Sequence, residues 1–303
     1  MRILGLLLIL SAGAASAAPT DGAMMFQGRS RTWHLHLPAG GAAGRPLVVA
    51  LHGGGGTGEG MDASTRGQLT REAARRRWAL VFPEGVEKGW NDGRPLGSRR
   101  DRRRAGVDDV AFLDALIDRL VAEHQLDGRR IYVTGMSNGG FMSQRFALDR
   151  AGKVAAIGVV VAGVAEAWAD RRPARPVPVM FMLGSEDPLI PYGGGEVRVL
   201  GTDRGRVLSG PASAAHWARL DACAAEPVRE TPPDRDPRDD THLVVDRYAG
   251  CAEGAAVELF SLMGGGHTWP LGQQYLGRRM IGVVSREVDG AAVLFDFFAR
   301  FSR

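Results

Sequence analysis

Gly135-Met136-Ser137-Asn138-Gly139 directly follows the strand-like run Arg130-Ile131-Tyr132-Val133-Thr134, and no other stretch limits the folding choices of this chain as tightly. A G-x-S-x-G pentapeptide between a strand and a helix forms a sharp turn that lifts the serine out of the sheet. The flanking glycines are needed because side chains there would strike neighbouring backbone. Five loosely specified residues are a weak signal alone, so the reading depends on what surrounds them. Upstream, an apolar run ends in His52-Gly53-Gly54-Gly55-Gly56, and downstream an acid and then a histidine each follow a strand-like segment.

The rest of the chain supplies the frame. Trp33, Leu35 and Leu37 alternate with Thr32, His34 and His36, which predicts a half-buried strand with both histidines turned towards solvent. Residues 46–51 and 78–82 are short, nearly continuous apolar runs, as expected for strands buried on both faces of a parallel sheet. Further strands are predicted at 131–134, 154–161, 177–183 and 257–263. Asp108-Asp109 opens a helix whose apolar stripe is Val110, Leu113, Ile117, Leu120 and Val121, with carboxylates at the positive end of its dipole. Residues 212–220 read as another helix, and a last one runs from about Asp289, burying Leu294, Phe295, Phe298 and Phe301. Strands alternating with helices imply an α/β fold: a mainly parallel central sheet with helices on both faces, in a single domain. The break in composition at Glu226–Asp240 reads as an exposed loop, and no internal repeat or linker is present.

Residues 1–17 are set apart. Met1-Arg2 is a short basic start, Ile3–Leu10 is apolar, and Ala15-Ser16-Ala17 is an A-x-A cleavage site, so 1–17 reads as a signal peptide and 18–303 as the mature domain. The apolar run is too short to span a bilayer, which predicts a secreted or periplasmic protein without stable membrane insertion. The two cysteines, Cys223 and Cys251, favour a disulfide in an exported chain; two buried free thiols are the alternative. Closing that loop stabilises by about 3–4 kcal/mol on the chain-entropy model. Neither the cysteines nor the histidine spacing suggests a metal site, and no cofactor is implied.

The net charge of +4 is carried almost wholly by arginine, since Lys88 and Lys153 are the only lysines. Arg94, Arg99, Arg100, Arg102, Arg103 and Arg104 crowd one stretch. Without interleaved aromatic residues this reads as a solvated basic loop, not a nucleic-acid surface, with steering of anionic substrates as a secondary role.

Ser137 is the candidate nucleophile. His267, in Gly264-Gly265-Gly266-His267-Thr268-Trp269-Pro270 after the last predicted strand, is the candidate base; His124, His216 and His242 sit in helical or charged contexts and are expected at the surface. Gly184-Ser185-Glu186-Asp187-Pro188 offers two acids. Asp187 is preferred because Pro188 fixes the turn behind it and Leu189-Ile190-Pro191 shields it. The chain order Ser137, Asp187, His267 is that of α/β-hydrolases. The oxyanion would be held by the backbone N–H of Asn138 and one from the His52–Gly56 loop, best placed at Gly54. His52 itself would hold the loop without transferring protons, and no phosphate-binding glycine pattern is present.

With these residues in place the chain resembles the polyhydroxybutyrate depolymerase and feruloyl esterase group of carbohydrate esterase family 1. The resemblance runs from about Thr32 to Arg303, through Leu51-His52-Gly53, Gly89-Trp90-Asn91-Asp92-Gly93, Val107-Asp108-Asp109-Val110, Gly135–Gly139, Asp187-Pro188-Leu189-Ile190-Pro191-Tyr192 and Gly266-His267-Thr268-Trp269-Pro270. It implies an α/β-hydrolase fold, no cofactor, Ser137, Asp187 and His267 as triad, and Cys223 paired with Cys251. Gly54 stands where depolymerase-type members often carry a cysteine, and no polymer-binding module follows the catalytic region. Soluble or oligomeric esters (hydroxybutyrate oligomers, feruloyl esters, acylated sugars) are therefore favoured over crystalline polymer. Trp90 and Trp269 offer flat apolar surface to such a substrate, or else simply pack. Acyl transfer to a sugar acceptor is a second reading of the same residues, and a non-catalytic envelope-binding protein a third.

Overall fold

The computed structural model describes residues 19–95, 97–199 and 201–303; the signal-peptide reading of 1–17 falls outside them. In chain order the elements are β1 (Thr20–Phe26), β2 (Arg29–His36), β3 (Leu47–Leu51), α1 (Gly58–Ser64), α2 (Gln68–Arg76), β4 (Ala79–Pro83), α3 (Arg99–Arg103), α4 (Asp109–His124), β5 (Ile131–Met136), α5 (Asn138–Asp149), β6 (Ala156–Val160) and β7 (Val179–Gly184). Then come β8 (Gly195–Val199), β9 (Thr202–Val207), α6 (Gly210–Leu220), β10 (Val228–Glu230), β11 (His242–Tyr248), β12 (Val257–Met263), α7 (Arg278–Ile281) and α8 (Gly290–Phe298).

Ten of the strands make one sheet in the order β1-β2-β4-β3-β5-β6-β7-β12-β11-β10. Its centre, β4-β3-β5-β6-β7-β12, is parallel throughout, and the strands at both margins are antiparallel. The α/β-hydrolase architecture expected of the chain is the one observed. Strand alternation divides the core in two. Leu47, Val49 and Leu51 join one apolar layer with Phe112 of α4, Phe141 of α5 and Trp217 of α6. Val48 and Ala50 join the other with Met61 of α1, Leu69 of α2 and Phe295 of α8. Both faces of the central strands are thus removed from water, which explains their unbroken apolar runs.

Helix starts follow from their caps. Asp108 Oδ1 accepts from the Ala111 N–H at 2.9 Å, and Asp289 Oδ1 from the Ala292 N–H at 3.0 Å, so each carboxylate satisfies an end donor of α4 or α8. Asp109 goes beyond the dipole role expected of it: it is buried against Arg31. The region 226–240 departs from a plain loop, because Val228–Glu230 adds a three-residue strand to the edge of β11. Strands β1, β8, β9 and β11 also lie outside the predicted set. His34 and His36 are half-buried instead of solvent-facing, the first bonded to Asp21 at 2.6 Å and the second edge-on to Phe82. Cys223 and Cys251 form the disulfide.

Asp221, at the C-terminal end of α6 beside that disulfide, has no exposed surface. Its Oδ1 accepts from the Val177 N–H at 3.0 Å, while Oδ2 has no partner. Burial pushes this carboxyl from 3.8 to about 7, against the smaller opposing effect of the Val177 N–H. The folded state therefore keeps a proton between about pH 4 and 7 that the unfolded chain has already lost, and stability falls as pH rises through that window. Asp221→Asn is expected to remove a decline of about 4 kcal/mol, measured as the difference in urea unfolding free energy between variant and wild type from pH 4 to 8. A difference that stays flat with pH would show that the carboxyl is already charged in the fold. Reduction of Cys223–Cys251 is expected to cost about 3–4 kcal/mol and lower Tm; an unchanged midpoint would contradict that.

Candidate active site

Ser137 sits at the N-cap of α5 with φ 55° and ψ −119°, a left-handed conformation that a serine adopts only under constraint. The turn around it leaves no room for side chains. A Cβ on Gly135 would lie 2.3 Å from the Gly139 carbonyl carbon, and one on Gly139 would lie 2.1 Å from the Leu51 carbonyl oxygen. The pentapeptide is tight because β5 lies beside β3, so the serine turn is pressed onto the end of the strand that leads into His52–Gly56. That contact sets the predicted oxyanion donors side by side: a Cβ at Gly54 would be 3.7 Å from the Asn138 Cβ. Among the described residues neither the Gly54 nor the Asn138 N–H has a hydrogen-bond partner, and Asn138 is the first residue of a helix whose dipole favours negative charge at that point.

His52 is buried and both its ring nitrogens are committed. Nε2 accepts from the Gly85 N–H at 3.0 Å, which leaves the proton on Nδ1, bonded to the Gly53 carbonyl at 2.8 Å. Burial lowers its pKa and keeps it neutral. It fixes the loop, as the sequence suggested.

β7 and β12 are neighbours, so the loops beyond their C-terminal ends meet. His267 Nδ1 is bonded to Asp187 Oδ2 at 2.7 Å with both side chains buried. Asp187 Oδ1 accepts from the N–H groups of Leu189 at 2.8 Å and Ile190 at 2.9 Å, which holds the carboxylate in place. Glu186, the competing acid, is exposed. Since the bond to the carboxylate takes the Nδ1 proton, the Nε2 lone pair is the basic one. The backbone of His267 is pinned as well: its N–H donates to Ile281 O at 2.6 Å and its carbonyl accepts from the Tyr275 hydroxyl at 2.8 Å. Neither residue stands out in the sequence, since no motif marks the segment that returns alongside the histidine. Ser137 lies at the same C-terminal edge of the sheet, but its hydroxyl makes no side-chain hydrogen bond to His267 among the described residues.

Of the two readings given for the tryptophans, substrate surface or packing, burial agrees with packing. Trp90 and Trp269 are each 1% exposed, so neither presents a face to substrate. The Trp90 indole N–H donates to His52 O at 2.9 Å, and that of Trp269 to Gln68 Oε1 at 3.1 Å. Trp90 belongs to a buried lattice behind the serine turn. Its backbone N–H donates to Asn138 Oδ1 at 2.7 Å, and Asn138 Nδ2 donates to Asp92 Oδ2 at 2.7 Å. Asp109 Oδ2 accepts from the Asn91 N–H at 2.7 Å and Oδ1 from Arg31 at 2.7 Å. Burial opposes the charge on both Asp109 and Arg31, and the paired hydrogen bonds offset that penalty. The arginine-rich stretch is likewise not a solvated loop throughout. It contains α3, begun by a Ser98–Asp101 capping box, and buries Arg94 against Asp92 and Arg104 against Asp101. His216 also departs from expectation, being buried in α6, where burial lowers its pKa.

The chain is similar to several known proteins. The profile of the family described as esterase PHB depolymerase matches residues 31–186. NocK of Nocardia uniformis subsp. tsuyamanensis, an esterase by name, is 29% identical over 93% of this chain and 83% of its own. Feruloyl esterase B of Piromyces equi is 27% identical over 73% of this chain, which spans only 39% of that protein. Poly(3-hydroxyalkanoate) depolymerase C of Paucimonas lemoignei is 33% identical over 36% of this chain and 25% of its own. Among solved structures, a thermostable esterase aligns over 94% of this chain and 63% of its own, with TM-score 0.56 and 14% identity. Acetyl xylan esterase from Aspergillus awamori aligns over 82% and 94%, with TM-score 0.52 and 15% identity. These two likenesses bear on the fold alone.

Gly139→Ala puts a methyl group into the Leu51 carbonyl, and we expect a loss of about 2 kcal/mol or more, read by urea unfolding. Wild-type stability in that variant would mean that the turn is looser than described.

Proposed function

Because the chain belongs to the esterase PHB depolymerase family, we propose that it hydrolyses soluble carboxylic esters through Ser137, His267 and Asp187. It is an esterase by family; the residues and substrates are our reading. The observation that carries it is the buried 2.7 Å bond between His267 and Asp187 at the sheet edge that also bears a serine forced into a left-handed turn. Asp187 orients the imidazole and stabilises the imidazolium form. Rotation of the Ser137 hydroxyl towards Nε2 gives the base its proton as Oγ attacks the ester carbonyl, and a hydrogen bond that is open in the free enzyme closes in the complex. The N–H groups of Gly54 and Asn138 receive the oxyanion, each donor being worth about 3–4 kcal/mol of barrier. His267 then protonates the departing alcohol, and water activated by the same nitrogen releases the acid from Ser137.

Short hydroxybutyrate oligomers, feruloyl esters and acylated sugars are the proposed substrates, supported by the names of relatives that match only part of their own length. An exported location agrees with the disulfide, and no helix among the described residues is long and apolar enough to cross a membrane.

Hydrolysis of p-nitrophenyl esters of rising chain length, methyl ferulate and hydroxybutyrate oligomers is the direct assay. Ser137→Ala and His267→Ala are expected to lower kcat by a factor on the order of 10^4 to 10^6 with circular dichroism unchanged. Turnover retained by either variant would exclude that residue from the chemistry.

A further inference from the structure

His267 lacks the support that its partners have. Ser137 heads a helix packed into the core, and Asp187 is held by two backbone N–H groups. The histidine instead follows Gly264-Gly265-Gly266, a run with no side chain to anchor it, and Gly264 is left-handed at φ 80°. Asp187 fixes the imidazole ring through Nδ1, but it does not hold the backbone that carries the ring.

The backbone is held by the segment from Leu271 to Val284, which leaves the site and returns to it. The Gly266 N–H donates to Val283 O at 2.8 Å and the His267 N–H to Ile281 O at 2.6 Å. The fit is close, since a Cβ on Gly266 would lie 2.1 Å from that Ile281 oxygen. Gln274 closes the segment on itself. Its Nε2 donates to the carbonyls of Leu276 at 2.9 Å and Gly282 at 3.0 Å, and its Oε1 accepts from the Val284 N–H at 3.3 Å. The Gln273 N–H ties the same segment to Ser64 O at the end of α1, at 2.8 Å.

Tyr275 is the one side chain, among the described residues, that bonds the His267 backbone, its hydroxyl donating to the carbonyl at 2.8 Å. The ring keeps 37% of its surface exposed, while the hydroxyl meets a residue that is only 3% exposed. Burial, and after it the charge of Asp187, raises the pKa of this phenol, so it stays an O–H donor throughout the neutral range. Without the hydroxyl, the carbonyl of a buried residue loses that donor and the glycine run loses one of its ties. Small displacements matter here, because the base must meet Ser137 Oγ within hydrogen-bond reach.

We propose that Tyr275 is a positioning residue for the base: its hydroxyl, presented by the 271–284 segment, sets the His267 backbone so that Nε2 is available to Ser137 while Nδ1 stays on Asp187. This rests on the esterase reading above and adds to it a residue that works without touching substrate.

The test compares wild type with Tyr275→Phe on p-nitrophenyl butyrate. The variant is expected to lose about tenfold in kcat, with KM within about twofold and Tm lower by no more than about 4 °C. The proton between His267 Nδ1 and Asp187 is read by its far-downfield NMR resonance, identified by its absence in His267→Ala. That resonance should broaden through solvent exchange in Tyr275→Phe. Leu276→Ala, exposed on the same segment, should leave kcat and the resonance alone; an equal loss there would trace the effect to the surface of the segment and overturn the role of the hydroxyl. Gln274→Ala loosens the segment with Tyr275 in place and should show a smaller fall of the same kind. Wild-type kcat and resonance in Tyr275→Phe, or in Gln274→Ala should that one alone fold, overturn the proposal. A rise in KM with kcat unchanged would assign Tyr275 to substrate contact and overturn it as well. If wild type cleaves no ester, the esterase reading fails by itself and the resonance decides the positioning; a wild type without either overturns both.

Discussion

The molecule is organised around one close backbone approach. Gly139 rests on the carbonyl oxygens of Leu51 and His52, so two neighbouring parallel strands deliver a serine turn and a glycine loop to the same point. A side chain at Gly139 would push them apart, and one at Gly135 would strike the Gly139 backbone within the turn itself. The strained φ of Ser137 is tolerated because packing on both faces of the sheet supplies the energy that holds it. The helix that follows then begins where its dipole and free N–H can act on a developing negative charge.

Behind that contact is a layer of buried polar groups, and its members depend on one another. Arg31 on β2 reaches Asp109 on α4, which holds Asn91; Trp90 and Asp92 on either side hold the side chain of Asn138, and Trp90 also holds the carbonyl of His52. Replacing one partner would leave the next buried and unsatisfied, which costs more than the net value of the bond. Rigid placement of the serine turn and of the Gly54 and Asn138 N–H groups thus draws on residues from β2 to the middle of the chain. The His267–Asp187 pair depends on a separate set, β7, β12 and the segment that returns to bond the His267 backbone.

Residues whose placement is set by chain order and strand ends could be read from the sequence. Asp187 and His267 were expected beyond their strands and meet there, and Gly54 adjoins Asn138 as the elbow demands. Apolar runs gave the buried strands, and Asp108 and Asp289 marked two helix starts. What was left open or missed has a common cause. Burial of Trp90 and Trp269 follows from indole N–H groups finding acceptors far away in the chain, and no local pattern carries that. Arg94 and Arg104 look solvated in sequence because arginine runs usually are; Asp92 and Asp101 make their burial affordable. The marginal strands β1 and β10 and the β8–β9 hairpin are partly or, for β10, wholly exposed, so they lack the apolar periodicity that reveals a strand.

The central claim is that Ser137 is a nucleophile activated by His267. Incubation with a fluorophosphonate, followed by intact mass and peptide mapping, tests it without any choice of substrate. One adduct per chain on Ser137 is expected, forming far more slowly in His267→Ala. No adduct on the folded wild-type protein, or an adduct on another residue, would contradict the account.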